Sequence, residues 1–274
     1  VNDPRPGLPS GSIFDLSGQV AIVTGAARGL GRAIALGLAR HGADLVLFDR
    51  DMATLENSAA ESRGLGRRVD CLECDLAREE SITRAVDAVY ERLPAIDILV
   101  NNAGITRRKA LVDWEAADWE ELIRINQIGT FVLSRAVGLR MVARRTGSII
   151  NISALGGGLV GLGRGNAIYC STKAAVAAIT RDLAAEWAGA GVRVNALAPG
   201  WFATEMNRPL IENAEVRARI LSRVPLNRLG EPEDLVGPVV FLASRASAMI
   251  TGCLLPVDGG AHAIIKISEE PVIQ

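Results

Sequence analysis

Val20-Ala21-Ile22-Val23-Thr24-Gly25-Ala26-Ala27-Arg28-Gly29-Leu30-Gly31 holds a short apolar run, three glycines and the start of a helical pattern. Val20–Thr24 has the length and continuous hydrophobicity of a strand buried on both faces, and the stretch from about Leu30 to Arg40 has the spacing of a helix. Gly25 permits the tight turn between them, and Gly29 lets backbone come close to a pyrophosphate. Gly31 allows the helix to touch the strand. The first N–H groups of such a helix lack internal partners and sit at its positive dipole end, so they suit an anion.

Outward from this turn, strand and helix alternate without a linker. Strands are expected at Asp44–Phe48, Val69–Cys74, Ile96–Val100, Ser148–Ile152, Val192–Leu197 and Cys253–Val257. Helices are expected up to Gly64–Gly66, over Glu79–Arg92, as one long element over Asp118–Arg144, and over Ile168–Trp187. Apolar strands alternating with helices imply an α/β, single-domain, doubly wound (Rossmann) fold, a seven-stranded parallel sheet with helices on both faces. Residues 1–17 read as a flexible N-terminal tail and 18–261 as a dinucleotide-binding catalytic domain. Within it the pattern loosens over 204–228, read as a substrate lid, and 262–274 reads as a C-terminal extension.

The formal net charge of -1 gives no long-range attraction to phosphate backbones, so nucleic acid is not an expected partner. No apolar stretch is long enough to span a bilayer, and a soluble cytoplasmic protein is expected. Cys71 and Cys74 form a C-x-x-C, but residues three apart in a strand point to opposite faces. No second ligand pair follows, so no metal site is expected.

The chemistry-bearing residues fall at strand ends and on helix starts. Asp49 ends the second strand, eighteen residues after Gly31, where a carboxylate accepts hydrogen bonds from the adenosine ribose hydroxyls. It also repels a 2′-phosphate, which favours NAD. Arg28 and Arg50 stand close by and would pair with such a phosphate, so NADP is kept open. Tyr169 and Lys173 are one helical turn apart on a shared face. A phenol with a pKa of about 10 is a poor base at neutral pH. A neighbouring ammonium and a positive nicotinamide ring would favour its phenolate, making it able to take a hydroxyl proton as hydride leaves carbon. Ser153 ends the fifth strand, where its hydroxyl would hold the substrate oxygen. Asn126 lies inside a helix where an amide has no capping duty, which points to a buried polar role.

Together these residues resemble the short-chain dehydrogenase/reductase family. The resemblance runs from about Gly18 to Gly260 and rests on ordered motifs: Thr24-Gly25-x-x-x-Gly29-x-Gly31, Asn101-Asn102-Ala103-Gly104, Asn126, Ser153, Tyr169-x-x-x-Lys173, Pro199-Gly200-x-x-x-Thr204 and Asp258-Gly259-Gly260. It implies a nicotinamide-dependent oxidoreductase that moves a hydride between cofactor and a secondary alcohol or ketone, with Asn126, Ser153, Tyr169 and Lys173 as the catalytic set. It implies that Asp75, with Leu76, contacts the adenine and that Asn102, Ala103 and Gly104 line the dinucleotide, together with Leu30, Pro199 and Gly200. Thr204 would hold the carboxamide end of the nicotinamide, Lys173 its ribose, and Asn126 a water in a proton relay. Ser153 and Tyr169 are about three residues further apart than is usual in the family, the extra length falling in the glycine-rich Gly156–Gly161. Family members are commonly homotetramers, and Ala174, Ala175, Ala177 and Ala178 would permit helices to approach closely.

Asn101–Arg108 and Ala198–Met206 look closest to the gluconate 5-dehydrogenase group and its 2-deoxygluconate-oxidising relatives. Arg107 follows a strand end at the cofactor rim, where a guanidinium would fork to a sugar-acid carboxylate; alternatively Arg107, Arg108 and Lys109 form a solvated basic surface. Trp201 and Met206 would close over the substrate or, equally, serve as lid packing with no chemical preference. Reduction of a 3-oxoacyl thioester with NADPH and a non-catalytic dinucleotide-binding scaffold are the other readings.

Overall fold

The computed structural model describes residues 11–163 and 165–263. The chain runs β1 (Val20–Thr24), α1 (Gly29–Arg40), β2 (Asp44–Asp49), α2 (Met52–Gly64), β3 (Val69–Glu73), α3 (Glu79–Arg92) and β4 (Ile98–Asn101). It continues through α4 (Ala116–Ile123), a π-helical turn (Arg124–Gly129), α5 (Thr130–Arg144), β5 (Gly147–Ile152), α6 (Ala167–Trp187) and β6 (Val192–Pro199). The short helices α7 (Arg208–Ile211) and α8 (Ala214–Leu221) precede α9 (Val236–Ala243) and β7 (Leu254–Val257).

All seven strands pair in parallel, in the order β3-β2-β1-β4-β5-β6-β7. The order reverses beside β1, and the carboxyl ends of β1 and β4 therefore open a crevice, the place where a doubly wound sheet takes its ligand. One apolar core lies between the sheet and α1 with α9, built on Val23, Leu38, Leu45 and Val239. The other lies between the sheet and α3, α5 and α6, built on Val46, Val86, Leu133 and Leu183. Cys71 packs against the first core and Cys74 belongs to the second, so the C-x-x-C is split by the sheet. No helix among the described residues is long and apolar enough to cross a membrane.

One boundary differs from expectation. The boundary after residue 17 falls too late: Leu16 is fully buried in the core, and its N–H donates to the His41 carbonyl at 2.8 Å. A leucine side chain withdrawn from water contributes about 2 kcal/mol, which fixes that turn to the domain. Residues 1–10 and 264–274, holding most of the expected tail and extension, lie outside the described residues, while His262 hydrogen-bonds Asp258. The expected single helix over Asp118–Arg144 is interrupted by the π turn. The region 204–228 forms α7 and α8, with a small apolar cluster of its own around Ile220 and Val224.

Candidate active site

The glycine turn after β1 is closed from behind by β4. Thr24 Oγ1 accepts the backbone N–H groups of Asn102 and Ala103, each at 3.0 Å, and the Asn102 amide donates to the Thr24 carbonyl at 2.9 Å. A Cβ on Gly31 would sit 2.1 Å from the Gly25 carbonyl oxygen, and one on Gly25, at φ +64, would sit 2.9 Å from Ala103 Cα. Both positions exclude side chains, and the turn is left free to face the crevice. Thr204, just before α7, has its Cγ2 3.9 Å from where a Gly29 Cβ would lie.

A cavity of about 450 Å³ runs from this turn along the crevice. Gly25, Arg28, Gly29, Leu30, Asp49, Arg50 and Asp75 with Leu76 line one end; Asn102, Ala103, Gly104, Pro199, Gly200 and Thr204 line its middle. Its other end meets Ser153, Tyr169, Lys173 and Trp201. Asp49 is held by the backbone N–H groups of Ala27 and Asp51, both at 3.1 Å, which aims its carboxylate at the crevice rather than at solvent. Arg28 pairs with Asp51 at 3.0 Å and, across the crevice mouth, with Glu205 at 3.4 Å. Arg50 is exposed and makes no hydrogen bond or ion pair among the described residues.

Behind the end that meets Tyr169 and Lys173, the π turn carries Asn126 into full burial. Its Oδ1 accepts the Ile105 N–H at 2.8 Å, while its amide nitrogen donates to the Ile105 carbonyl at 2.9 Å and to Thr172 Oγ1 at 3.2 Å. The widened turn passes the Asn126 carbonyl to Thr130 Oγ1 at 2.9 Å. Such turns insert one residue into a helix and concentrate at functional sites. Lys173 is buried, its Nζ donating to the Ile152 carbonyl at 2.7 Å, and burial lowers its pKa from 10.5 to about 8. Asn126 Oδ1 and Lys173 Nζ converge on Gly104, 3.1 and 3.3 Å from where its Cβ would stand. Ser153 is buried and donates to the Lys173 carbonyl at 2.8 Å.

Tyr169 and Lys173 face the same cavity. Burial, with Cys170 adding to it, pushes the Tyr169 phenol up to about 12, and the cation that opposes this is Arg108. Lys173 Nζ donates one of its three N–H groups to Ile152 and is not among the charges that act on the phenol.

Arg107 is corrected as a substrate contact. Its guanidinium is ion-paired with Glu121 and lies 3.7 Å from Asp118, and it lines no part of the cavity. Arg108 lines it instead: half-buried, donating to Asn207 Oδ1 at 3.2 Å, with its Nε buried and unpartnered. Only one arginine of the pair therefore lines the cavity. Asn166 and Thr106, which the sequence reading passed over, also line the cavity.

A family profile described as enoyl-(acyl carrier protein) reductase matches residues 25–262, most of the chain. This chain belongs to the short-chain dehydrogenase/reductase family. It is therefore an oxidoreductase acting on CH–OH groups. It is 39% identical over 248 residues to the gluconate 5-dehydrogenase of Gluconobacter oxydans, covering 90% of this chain and 96% of that one. It is equally 39% identical over 245 residues to a 3-oxoacyl-(acyl-carrier-protein) reductase of Thermotoga maritima, covering 89% and 98%. A gluconate 5-dehydrogenase from Burkholderia cenocepacia, solved in complex with NADP and tartrate, superposes with a TM-score of 0.88 at 40% identity, covering 92% of this chain and 98% of that one.

Proposed function

We propose that this dehydrogenase oxidises a secondary hydroxyl of a sugar acid such as gluconate, and reduces the matching ketone in reverse. The observation that carries this reading is Arg108, a half-buried guanidinium with unused donor capacity in the cavity that also holds Tyr169 and Ser153. A carboxylate satisfies such a fork with charge-assisted hydrogen bonds, whereas an acyl chain leaves it unpaired. The likeness to a gluconate 5-dehydrogenase supports the same reading. The relative that reduces 3-oxoacyl thioesters keeps that activity as the second reading.

The glycine cradle and the elongated cavity fit a nicotinamide dinucleotide, held at Gly25, Gly29, Asp49, Asn102 and Thr204. When bound, its nicotinamide ring accepts the hydride and adds a positive charge beside the phenol. Asp49 favours NAD, while the unpaired Arg50 at the same end accommodates NADP. Ser153 holds the substrate oxygen once its hydroxyl turns away from the Lys173 carbonyl. Tyr169 takes the hydroxyl proton. A phenol held near 12 needs added positive charge to do so at neutral pH, and Arg108 and the oxidised ring together supply it. Lys173, with a pKa near 8, passes the proton on past Asn126 at modest cost.

Assembly as a homotetramer in the cytoplasm accompanies this reading. Exposed Phe131 and Leu139 on α5 support it more than the alanines of α6 do, since Ala177 is buried within its own chain.

The test is a panel of sugar acids, polyols and acetoacetyl thioester, each run with NAD and NADP and followed by absorbance of the reduced nicotinamide. Sugar-acid turnover is expected to dominate; dominant thioester reduction overturns the proposal. Tyr169→Phe is expected to lower kcat by at least about a thousandfold with cofactor affinity unchanged, and activity retained within tenfold excludes the phenol as the base.

A further inference from the structure

We infer that the side-chain amide of Asn166 is a subsite for a substrate hydroxyl other than the one being oxidised. Asn166 stands at the N-cap of α6, where an asparagine ordinarily turns its oxygen onto a free backbone N–H of the first turn. Here it makes no such bond. It is only 5% exposed, finds no side-chain partner among the described residues, and lines the cavity. A buried amide that forgoes both its cap and a protein partner is poised for a ligand.

Its surroundings fix which ligand. Tyr169 follows three residues later, and both residues line the cavity. On the other side, the Lys109 N–H donates to the Gly165 carbonyl at 3.0 Å. Gly165, at φ +65, allows this approach, since a Cβ there would lie 2.4 Å from the Lys109 carbonyl oxygen. Arg108 and Asn166 each adjoin this bonded pair, and both line the same cavity. Thr106, whose Oγ1 is buried without a partner, lines it too. An amide presents one acceptor and two donors, the complement of a secondary hydroxyl, which both donates and accepts. A polyhydroxylated acid anchored at Arg108 and reacting at Tyr169 satisfies Asn166 on the way; an acyl chain leaves it bare.

This inference rests on the sugar-acid reading, and the experiment separates the two. Gluconate and a set of monodeoxy gluconates, each lacking one hydroxyl that is not oxidised, are compared on wild type, Asn166→Leu and Asn166→Ser. Leucine matches the size of the amide, and serine keeps a capping group for α6 should the leucine variant fold poorly. Wild type is expected to prefer gluconate over one particular deoxy acid by at least about tenfold in kcat/KM, and both variants are expected to lose that preference alone. Equal loss on gluconate and every deoxy acid, or an unchanged preference, overturns the subsite while leaving the sugar-acid reading intact. Thioester reduction without sugar-acid turnover in wild type overturns that reading and the subsite with it.

Discussion

Lys173→Met removes a buried ammonium that the fold carries at a cost. Burial lowers the lysine pKa from 10.5 to about 8. Between these values the unfolded chain holds a proton the folded chain has released, so stability rises with pH across this window and the penalty is fully present below it. At about 1.36 kcal/mol per pKa unit, the penalty is about 3 kcal/mol at pH 7 and under about 1 kcal/mol at pH 10. Methionine escapes it at both pH values but leaves the Ile152 carbonyl without the donor it has at 2.7 Å, a loss of about 1–3 kcal/mol that does not depend on pH. The variant is therefore expected to be no less stable than wild type at pH 7 and to fall below it near pH 10. The pH-dependent part, about 2 kcal/mol, corresponds to a change of about 4–8 °C in the melting-temperature difference. Thermal melts of both proteins at the two pH values measure it. A difference that stays constant within about 1 °C refutes the claim that the lysine is held against its charge.

Two further substitutions address ligand recognition. Arg108→Leu is expected to raise KM for gluconate by about 10–100-fold, the worth of a charged hydrogen bond, with far less effect on a neutral polyol; equal effects on both would remove the carboxylate contact. Asp49→Ala is expected to weaken NAD and to relieve discrimination against NADP, read as the ratio of kcat/KM for the two cofactors, and an unchanged ratio would place the adenosine ribose elsewhere.

The fold was legible because two periods were written plainly. Runs such as Val20–Thr24 and Ser148–Ile152 are apolar throughout, and helical spacing separates them, so each of the seven expected strands overlaps one in the sheet. The cofactor turn was legible for a steric reason: at Gly31 only a glycine fits. What escaped depended on partners far away in sequence. Arg107 and Arg108 are indistinguishable as neighbours, and only the carboxylates of Asp118 and Glu121 on α4 decide which is drawn outward. The π turn has no composition of its own, since its residues suit an ordinary helix. The burial that raises the Tyr169 pKa is likewise a property of packing that a one-turn spacing to Lys173 does not encode. Asn166 looked like any residue preceding a helix, and its missing cap is visible only in three dimensions.

The extra residue lodged between Ile123 and Thr130 also makes chain length in this short interval a readable trait. Each residue of a regular helix advances about 100° around the axis. A relative lacking one residue here would relax to unbroken helical winding and rotate the asparagine out of its pocket, even with every motif letter intact.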